Sequence, residues 1–318
     1  MEKMPLISVV ILCYNQELTI ARTIDSVLSQ ETEYQFEIII GEDASPGDNT
    51  RSICEEYVIK YPKIISLLPT APNKGVVKNY SDCLARCNGK YISTCSGDDW
   101  WHNPNKLQLQ IEFLENNEDY GVVYTDFDTF DVSTSKKTKD CFTAKGVILP
   151  SGEIYKRLIE GNTILACTAI FRSNIFYKYI DLNKFVSLGF LMEDYPMWLE
   201  MSQHTKFKYI PISTTTYSIE NGSLSNNLNN FSKFEKFETS VFNIKKYYIS
   251  KYPIDGIHED SLLQSLYLNL IIKCIKGKHF KEARCYSKKL DNCSLKIFFL
   301  RIICNSPLIW LYSLRLNK

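Results

Sequence analysis

The residues best suited to chemistry in this chain are carboxylates grouped where strands should end. Asp98 and Asp99 stand side by side in YISTCSGDDWWHNPNKL, after small and apolar residues that read as a strand. A helix opened by Asn103 and Pro104 follows them. Adjacent like charges repel, and burying either one costs free energy unless something positive sits against it. Carboxylate oxygens are also the hard ligands that Mg²⁺ or Mn²⁺ requires. The competing explanation is a solvated turn, which Asp favours. Two other predicted strand ends are polar, Tyr14-Asn15-Gln16-Glu17 and Glu42-Asp43, and another acidic pair, Glu193-Asp194, leads into a helix in MEDYPMW.

Positioning these groups requires a scaffold, and the apolar patterning supplies one. LISVVILCY, FEIIIGED, KIISLLP and YISTC are short, branched apolar runs of the kind buried in parallel sheets, and YGVVYTDFDTF is a fifth. QELTIARTIDSVLSQ puts Leu18, Ala21, Ile24, Val27 and Leu28 on one helical face. Further helices are predicted from about Asp48 to Tyr61, in GVVKNYSDCLARCNG with Gly89 as its C-cap, and from Pro104 to about Asn116. Such alternation implies a mostly parallel central sheet with helices on both faces. Its ligands bind at the carboxyl ends of the strands, so the three polar strand ends should converge on one edge. Later, KFKYIPI and TTTYSIE read as two strand pieces, and NGSLSNNLNN as a loop. From about Phe231 the pattern is all helical, with a hairpin of Asp260–Lys276 and Phe280–Leu290 joined at Gly277.

Composition excludes several functions. Lys+Arg 37 against Asp+Glu 36 gives no electrostatic footprint for nucleic acid. The 11 cysteines include no C-x-x-C, and Cys83, Cys87 and Cys95 with His102 fit no common zinc spacing. Unpaired thiols and the lack of a signal peptide point to a reducing cytosol. The first strand-to-helix turn, LCYNQELT, has no glycine, so no dinucleotide-binding loop can form there, and G-x-x-x-x-G-K-[ST] is missing. A diphosphate bound by this fold would need a metal in place of a glycine loop.

SVVILCYNQE, EIIIGEDASPGDNT, NKGVVKN, SGDDWWHNPNKLQLQIEFLE and MEDYPMW, in this order, resemble glycosyltransferase family 2 over about Leu6 to Ser225. The resemblance implies the Rossmann-like α/β GT-A fold for residues 1–225, with a nucleotide-binding half to about 130 and an acceptor half beyond it. It implies an inverting transfer from a nucleotide-sugar, UDP-sugar foremost, to a saccharide or lipid-linked glycan in cell-surface polysaccharide synthesis. By this resemblance Asp43 accepts from the nucleotide base, flanked by Tyr14, Asn15 and Glu17, although an Asx-turn also accounts for Asp43. Asn73 and Lys78 correspond to base- or phosphate-facing positions, and a solvated helix face explains Lys78 as well. Asp99 would ligate Mn²⁺ or Mg²⁺, and Asp98 would contact ribose or a metal-bound water. Ser96 stands where the family often has a third acid, which leaves fewer charges for the metal. This departure is the one feature that favours a degenerate module binding nucleotide or glycan without turnover. Asp194 is the expected general base, with Glu193 beside it. Trp100, Trp101 and Trp198 are candidates for an apolar wall against a sugar ring, or core residues.

Residues 226–318 form a helical extension in this reading. Its last segment, SLKIFFLRIICNSPLIWLYSLRLNK, has an uncharged run of 13 residues from Ile302 to Leu314, short of the ~20 that span a bilayer. A helix lying in the inner membrane interface fits it, as do packing on the catalytic domain and a subunit contact.

Overall fold

The computed structural model describes residues 6–220 and 230–291. Two compact units divide between Ile219 and Glu220. In the first, β1 (Ile7–Cys13), α1 (Ile20–Leu28), β2 (Phe36–Glu42), α2 (Thr50–Lys60), β3 (Ile65–Leu67), α3 (Val76–Leu84) and β4 (Tyr91–Ser96) alternate as the apolar runs require. They are followed by β5 (Trp100–Trp101), α4 (Lys106–Asn116), β6 (Tyr120–Asp131), β7 (Lys136–Thr138), α5 (Tyr155–Glu160) and β8 (Ile170–Arg172). α6 (Ser173–Tyr179), α7 (Leu182–Ser187), α8 (Asp194–Met201) and β9 (Lys206–Ile219) complete the unit. The sheet order is β3-β2-β1-β4-β8-β6-β9-β5, with β7 paired to β6. β1 to β4 are mutually parallel, and β6 pairs in parallel with β9. This is the mixed, mostly parallel sheet of the GT-A fold.

Register explains the convergence of the polar strand ends. Cys13 pairs with Glu42, and Leu12 pairs with Ser96, so Tyr14, Asp43 and the Gly97–Asp99 turn leave the sheet on one edge. Ile7, Val9, Ile11, Ile38 and Ile40 anchor these strands in a core that includes Ile20, Ile24 and Val27 of α1.

Several expectations are corrected. A strand that was not expected, the three-residue β8, inserts antiparallel between β4 and β6. KFKYIPI and TTTYSIE are one strand, β9. Its register against β6 skips from Ile210 to Ser213, so Pro211, which has no N–H to donate, falls in a bulge. Gly89 is not the cap of α3, which ends at Leu84. A Cβ on Gly89 would stand 2.5 Å from the Ser8 nitrogen, so glycine there permits close approach of the chain to β1.

The second unit contains α9 (Phe231–Lys251), α10 (Glu259–Lys276) and α11 (Phe280–Ser287), packed around Phe234, Leu270, Ile271, Cys274 and Ala283. The predicted α10–α11 hairpin is present. The basic, apolar tail from Ser294 and residues 221–229 of the Asn/Ser-rich loop lie outside the described residues. Among those described, no helix is long and apolar enough to cross a membrane.

Candidate active site

The Asp-Asp turn is built on one face of α1. The Thr19 and Thr23 hydroxyls donate to the Gly97 carbonyl at 2.8 and 3.0 Å, and the Thr23 hydroxyl also lies 2.6 Å from the Asp99 carbonyl. Arg22 Nη2 donates to the Asp98 carbonyl at 3.0 Å, and Ser26 Oγ accepts from the Trp101 N–H at 3.0 Å. Thr19, Arg22, Thr23 and Ser26 are spaced i, i+3, i+4, i+7, which aligns them along one side of a helix. From the other side β9 closes the turn: the Ser218 N–H donates to Asp99 Oδ1 at 2.9 Å, and the Ser218 hydroxyl to the Asp98 carbonyl at 2.6 Å.

This framework gives the two acids different surroundings. Asp99 is 2% exposed, whereas Asp98 is partly exposed. Burial, reinforced by repulsion from Asp98, pushes the Asp99 carboxyl well above the usual carboxylate range, while the Ser218 N–H, the Cys167 thiol and Arg22 oppose that rise. The positive charge that the adjacent acids require is therefore Arg22, whose guanidinium also lies 3.7 Å from the Trp100 ring centroid. The buried Lys106 ammonium makes no such contribution. It bonds Gln110 Oε1 at 2.7 Å, lies over the Trp101 ring, and is pushed by burial down to about 7.

At the end of β2, Asp43 is buried and its two carboxylate oxygens accept the Lys74 and Gly75 N–H groups at 3.0 and 2.9 Å. The Asn73 side chain donates to the Asp43 carbonyl at 2.8 Å. Gly75, with φ of 80°, makes this NKG turn possible. Asn15 and Ala44 hold positive φ at the ends of β1 and β2, and the Asn15 N–H donates to Ser45 Oγ at 2.8 Å. Tyr14, 45% exposed, stands beside them. Glu17 faces the α2 entry, accepting the Asn49 backbone and side-chain N–H groups, both at 2.9 Å. Lys78 is exposed on α3 in an i,i+4 ion pair with Asp82 at 2.8 Å, the solvated-face arrangement.

Glu193 and Asp194 open α8, both half-buried. Burial, then repulsion from Asp194, pushes Glu193 up to about 7, and burial pushes Asp194 up to about 6 against the Tyr195 N–H and the Asn162 side chain. The charge of Glu193 also acts on the phenol of Tyr80, whose oxygen is 3.1 Å from Thr94 Oγ1 near the end of β4.

Of the three tryptophans, two are core residues and form no sugar-facing wall. Trp198 is 0% exposed, edge-on to Phe171 and Phe207. Trp101 is buried, with Nε1 donating to the Cys167 carbonyl at 3.2 Å. Trp100 alone is partly exposed, its ring covered by Arg22 and packed edge-on to Phe130.

Among the described residues no three His, Cys, Asp or Glu side chains cluster as a metal cage. The donor set at the turn is one partly exposed carboxylate, Asp98. That set suits Mg²⁺ or Mn²⁺, which commonly take one or two carboxylates plus phosphate oxygens.

The sequence model described as Glycosyl transferase family 2 matches residues 8–195. An Escherichia coli UDP-Glc:alpha-D-GlcNAc-diphosphoundecaprenol beta-1,3-glucosyltransferase, WfaP, is 31% identical over 230 residues, covering 70% of this chain and 81% of its own. The chain spans about a third (34%) of the length of mycobacterial relatives that it matches at 37% identity over 117 residues. In three dimensions it resembles S. aureus TarS 1-349 in complex with UDP-GlcNAc, with TM-score 0.57, 17% identity, and 94% and 79% of the two chains covered. It also resembles the mannosyltransferase PcManGT from Pyrobaculum calidifontis in complex with GDP-Man and Mn²⁺, with TM-score 0.57, 12% identity, and 98% and 84% covered.

Proposed function

The chain belongs to glycosyl transferase family 2, and on that footing we propose that it is an inverting glycosyltransferase. It moves a sugar from a nucleotide-sugar, UDP-sugar foremost, to a hydroxyl of a saccharide or lipid-linked glycan acceptor in polysaccharide synthesis. The observation that carries this reading is the meeting, on one sheet edge, of a partly exposed acid after β4 with the polar ends of β1 and β2; the acidic pair that opens α8 adds raised proton affinity. The E. coli relative's UDP-Glc donor and diphosphoundecaprenol acceptor support the donor and acceptor classes.

Residues 1–130 bind the donor and residues 131–225 the acceptor. Asp43 retains lone pairs for a base N–H beyond the two it receives from the NKG turn. Tyr14 and Asn15 border the same position. Asp98 is the carboxylate that holds the divalent cation, because Asp99 is enclosed by Ser218 and Cys167. When bound, the cation neutralises charge developing on the nucleoside diphosphate. Asp194 takes the proton from the acceptor hydroxyl as it attacks. An acid raised to about 6 is still ionised at neutral pH and is a stronger base than an ordinary aspartate. Glu193 stands beside it, and the charge of Asp194 raises the cost of ionising Glu193.

The test is release of UDP from a panel of UDP-sugars with Mn²⁺ and polyprenyl-diphosphate-linked saccharide acceptors. Acceptor-dependent release supports the reading. Binding of UDP-sugars with no release under any acceptor would favour a module without turnover, and no binding of any nucleoside diphosphate would sink both.

A further inference from the structure

The Asp98 carbonyl receives two hydrogen bonds from elements on opposite sides of the turn. Arg22 Nη2 on α1 lies 3.0 Å from it, and Ser218 Oγ on β9 lies 2.6 Å from it. Both lone pairs of that oxygen are therefore engaged, and the plane of the Asp98–Asp99 peptide is fixed. Ser218 contributes a second bond from its backbone, holding the Asp99 carboxylate with its N–H at 2.9 Å. The pairing of Trp100 with Thr216 and of Trp101 with Thr215 brings β9 alongside the turn, so Ser218 continues that ladder past the end of β5. Arg22 is held in turn by the Trp100 face at 3.7 Å, and the Trp100 edge by Phe130 at 5.8 Å.

We infer that Arg22 and Ser218 form a two-sided clamp on the Asp98 carbonyl and act as positioning residues for the Asp98 carboxylate. This rests on the reading of Asp98 as the cation-holding acid. Rotation of the peptide would swing the side chain, and a misplacement of about 1 Å at such a site costs on the order of a hundredfold in rate. In this role neither clamp residue needs to touch substrate. Their action passes through the backbone of Asp98, and Ser218 couples that backbone to the residue that fills the space beneath it, Asp99.

The test uses the full chain with Ser218→Ala, which removes only the hydroxyl and keeps the N–H to Asp99, and Arg22→Met, which keeps an apolar stem against Trp100. In the ligand-free protein, hydrogen exchange over residues 96–102 should quicken about fivefold in either variant, the loss expected from one hydrogen bond. Affinity for UDP with Mn²⁺, measured by calorimetry, should fall by about the same factor. In the double variant the affinity should fall by less than the about 25-fold that independent contacts would give. Unchanged exchange in both single variants overturns the clamp, whatever the nucleotide does. Faster exchange with unaltered UDP affinity overturns the positioning role, since the bonds would then be structural only. Failure of the parent protein to bind any nucleoside diphosphate would instead sink the glycosyltransferase reading, with the exchange data still deciding whether the clamp exists.

Discussion

Replacing each acid of the Asp-Asp turn by alanine should separate folding from binding. Asp99 is 2% exposed and receives the Ser218 N–H at 2.9 Å. Asp99→Ala leaves that buried N–H without its acceptor, a loss of about 1–3 kcal/mol, and the Cys167 thiol loses its partner as well. Removing a carboxylate that burial and Asp98 both disfavour offsets part of this, so the net destabilisation is about 2 kcal/mol. For a unit of this size that lowers the melting temperature by ~4–8 °C. Asp98 is partly exposed, and losing its charge relieves the repulsion on Asp99. Asp98→Ala should cost less stability than Asp99→Ala, about 1 kcal/mol or below. Relief of the repulsion on Asp99 offsets the counter-charge that Arg22 loses. The same change should abolish the Mn²⁺ dependence of UDP binding. Thermal unfolding without ligand, followed by calorimetric titration of UDP with Mn²⁺, reads both effects. The reverse pattern refutes the assignment: an Asp99→Ala protein that melts like the parent but has lost its metal dependence, beside an Asp98→Ala protein several degrees less stable.

Asp194→Asn should keep UDP and Mn²⁺ affinity and lose transfer by on the order of 10²–10⁴, because an amide cannot take the acceptor's proton; near-parental turnover would return Asp194 to a structural role. The transfer rate should climb with pH through about 6 to 7 and then level off, since the base works only when ionised and the Glu193–Asp194 pair holds its protons above the ordinary carboxylate range. An acid limb near pH 4 would contradict that. Gly89→Ala should destabilise the protein by about 1–3 kcal/mol, read as a lowered melting temperature, because its Cβ would meet the Ser8 nitrogen at 2.5 Å. A melting temperature equal to the parent's would show that the chain can yield there.

What was readable in the sequence was what local pattern determines. The branched apolar runs became β1, β2 and β4, and parallel register then brought Tyr14, Asp43 and Asp98 to one edge. β8 escaped because three residues within a stretch of small apolar residues carry no period. β9 read as two pieces because Pro211 looks like a break, and only the partner strand reveals a bulge. The different burial of Asp98 and Asp99 was hidden for a related reason. Ser218, which encloses Asp99, lies 119 residues later, and no local pattern marks it. The polar stripe Thr19, Arg22, Thr23 and Ser26 was present in the sequence at helical spacing, but such a stripe ordinarily faces water. Its excess of hydroxyls over charges was the available signal, since hydroxyls suit backbone carbonyls. Trp101 and Trp198 show the opposite error, aromatic residues near acids that serve the core.

The most direct measurement of the central claim is the affinity of the intact protein for UDP with Mn²⁺ and again after chelation. Binding that is strong with Mn²⁺ and weakens sharply on chelation is the predicted result. Binding indifferent to the metal would contradict the role given to Asp98, and an absence of binding to any nucleoside diphosphate would contradict the account as a whole.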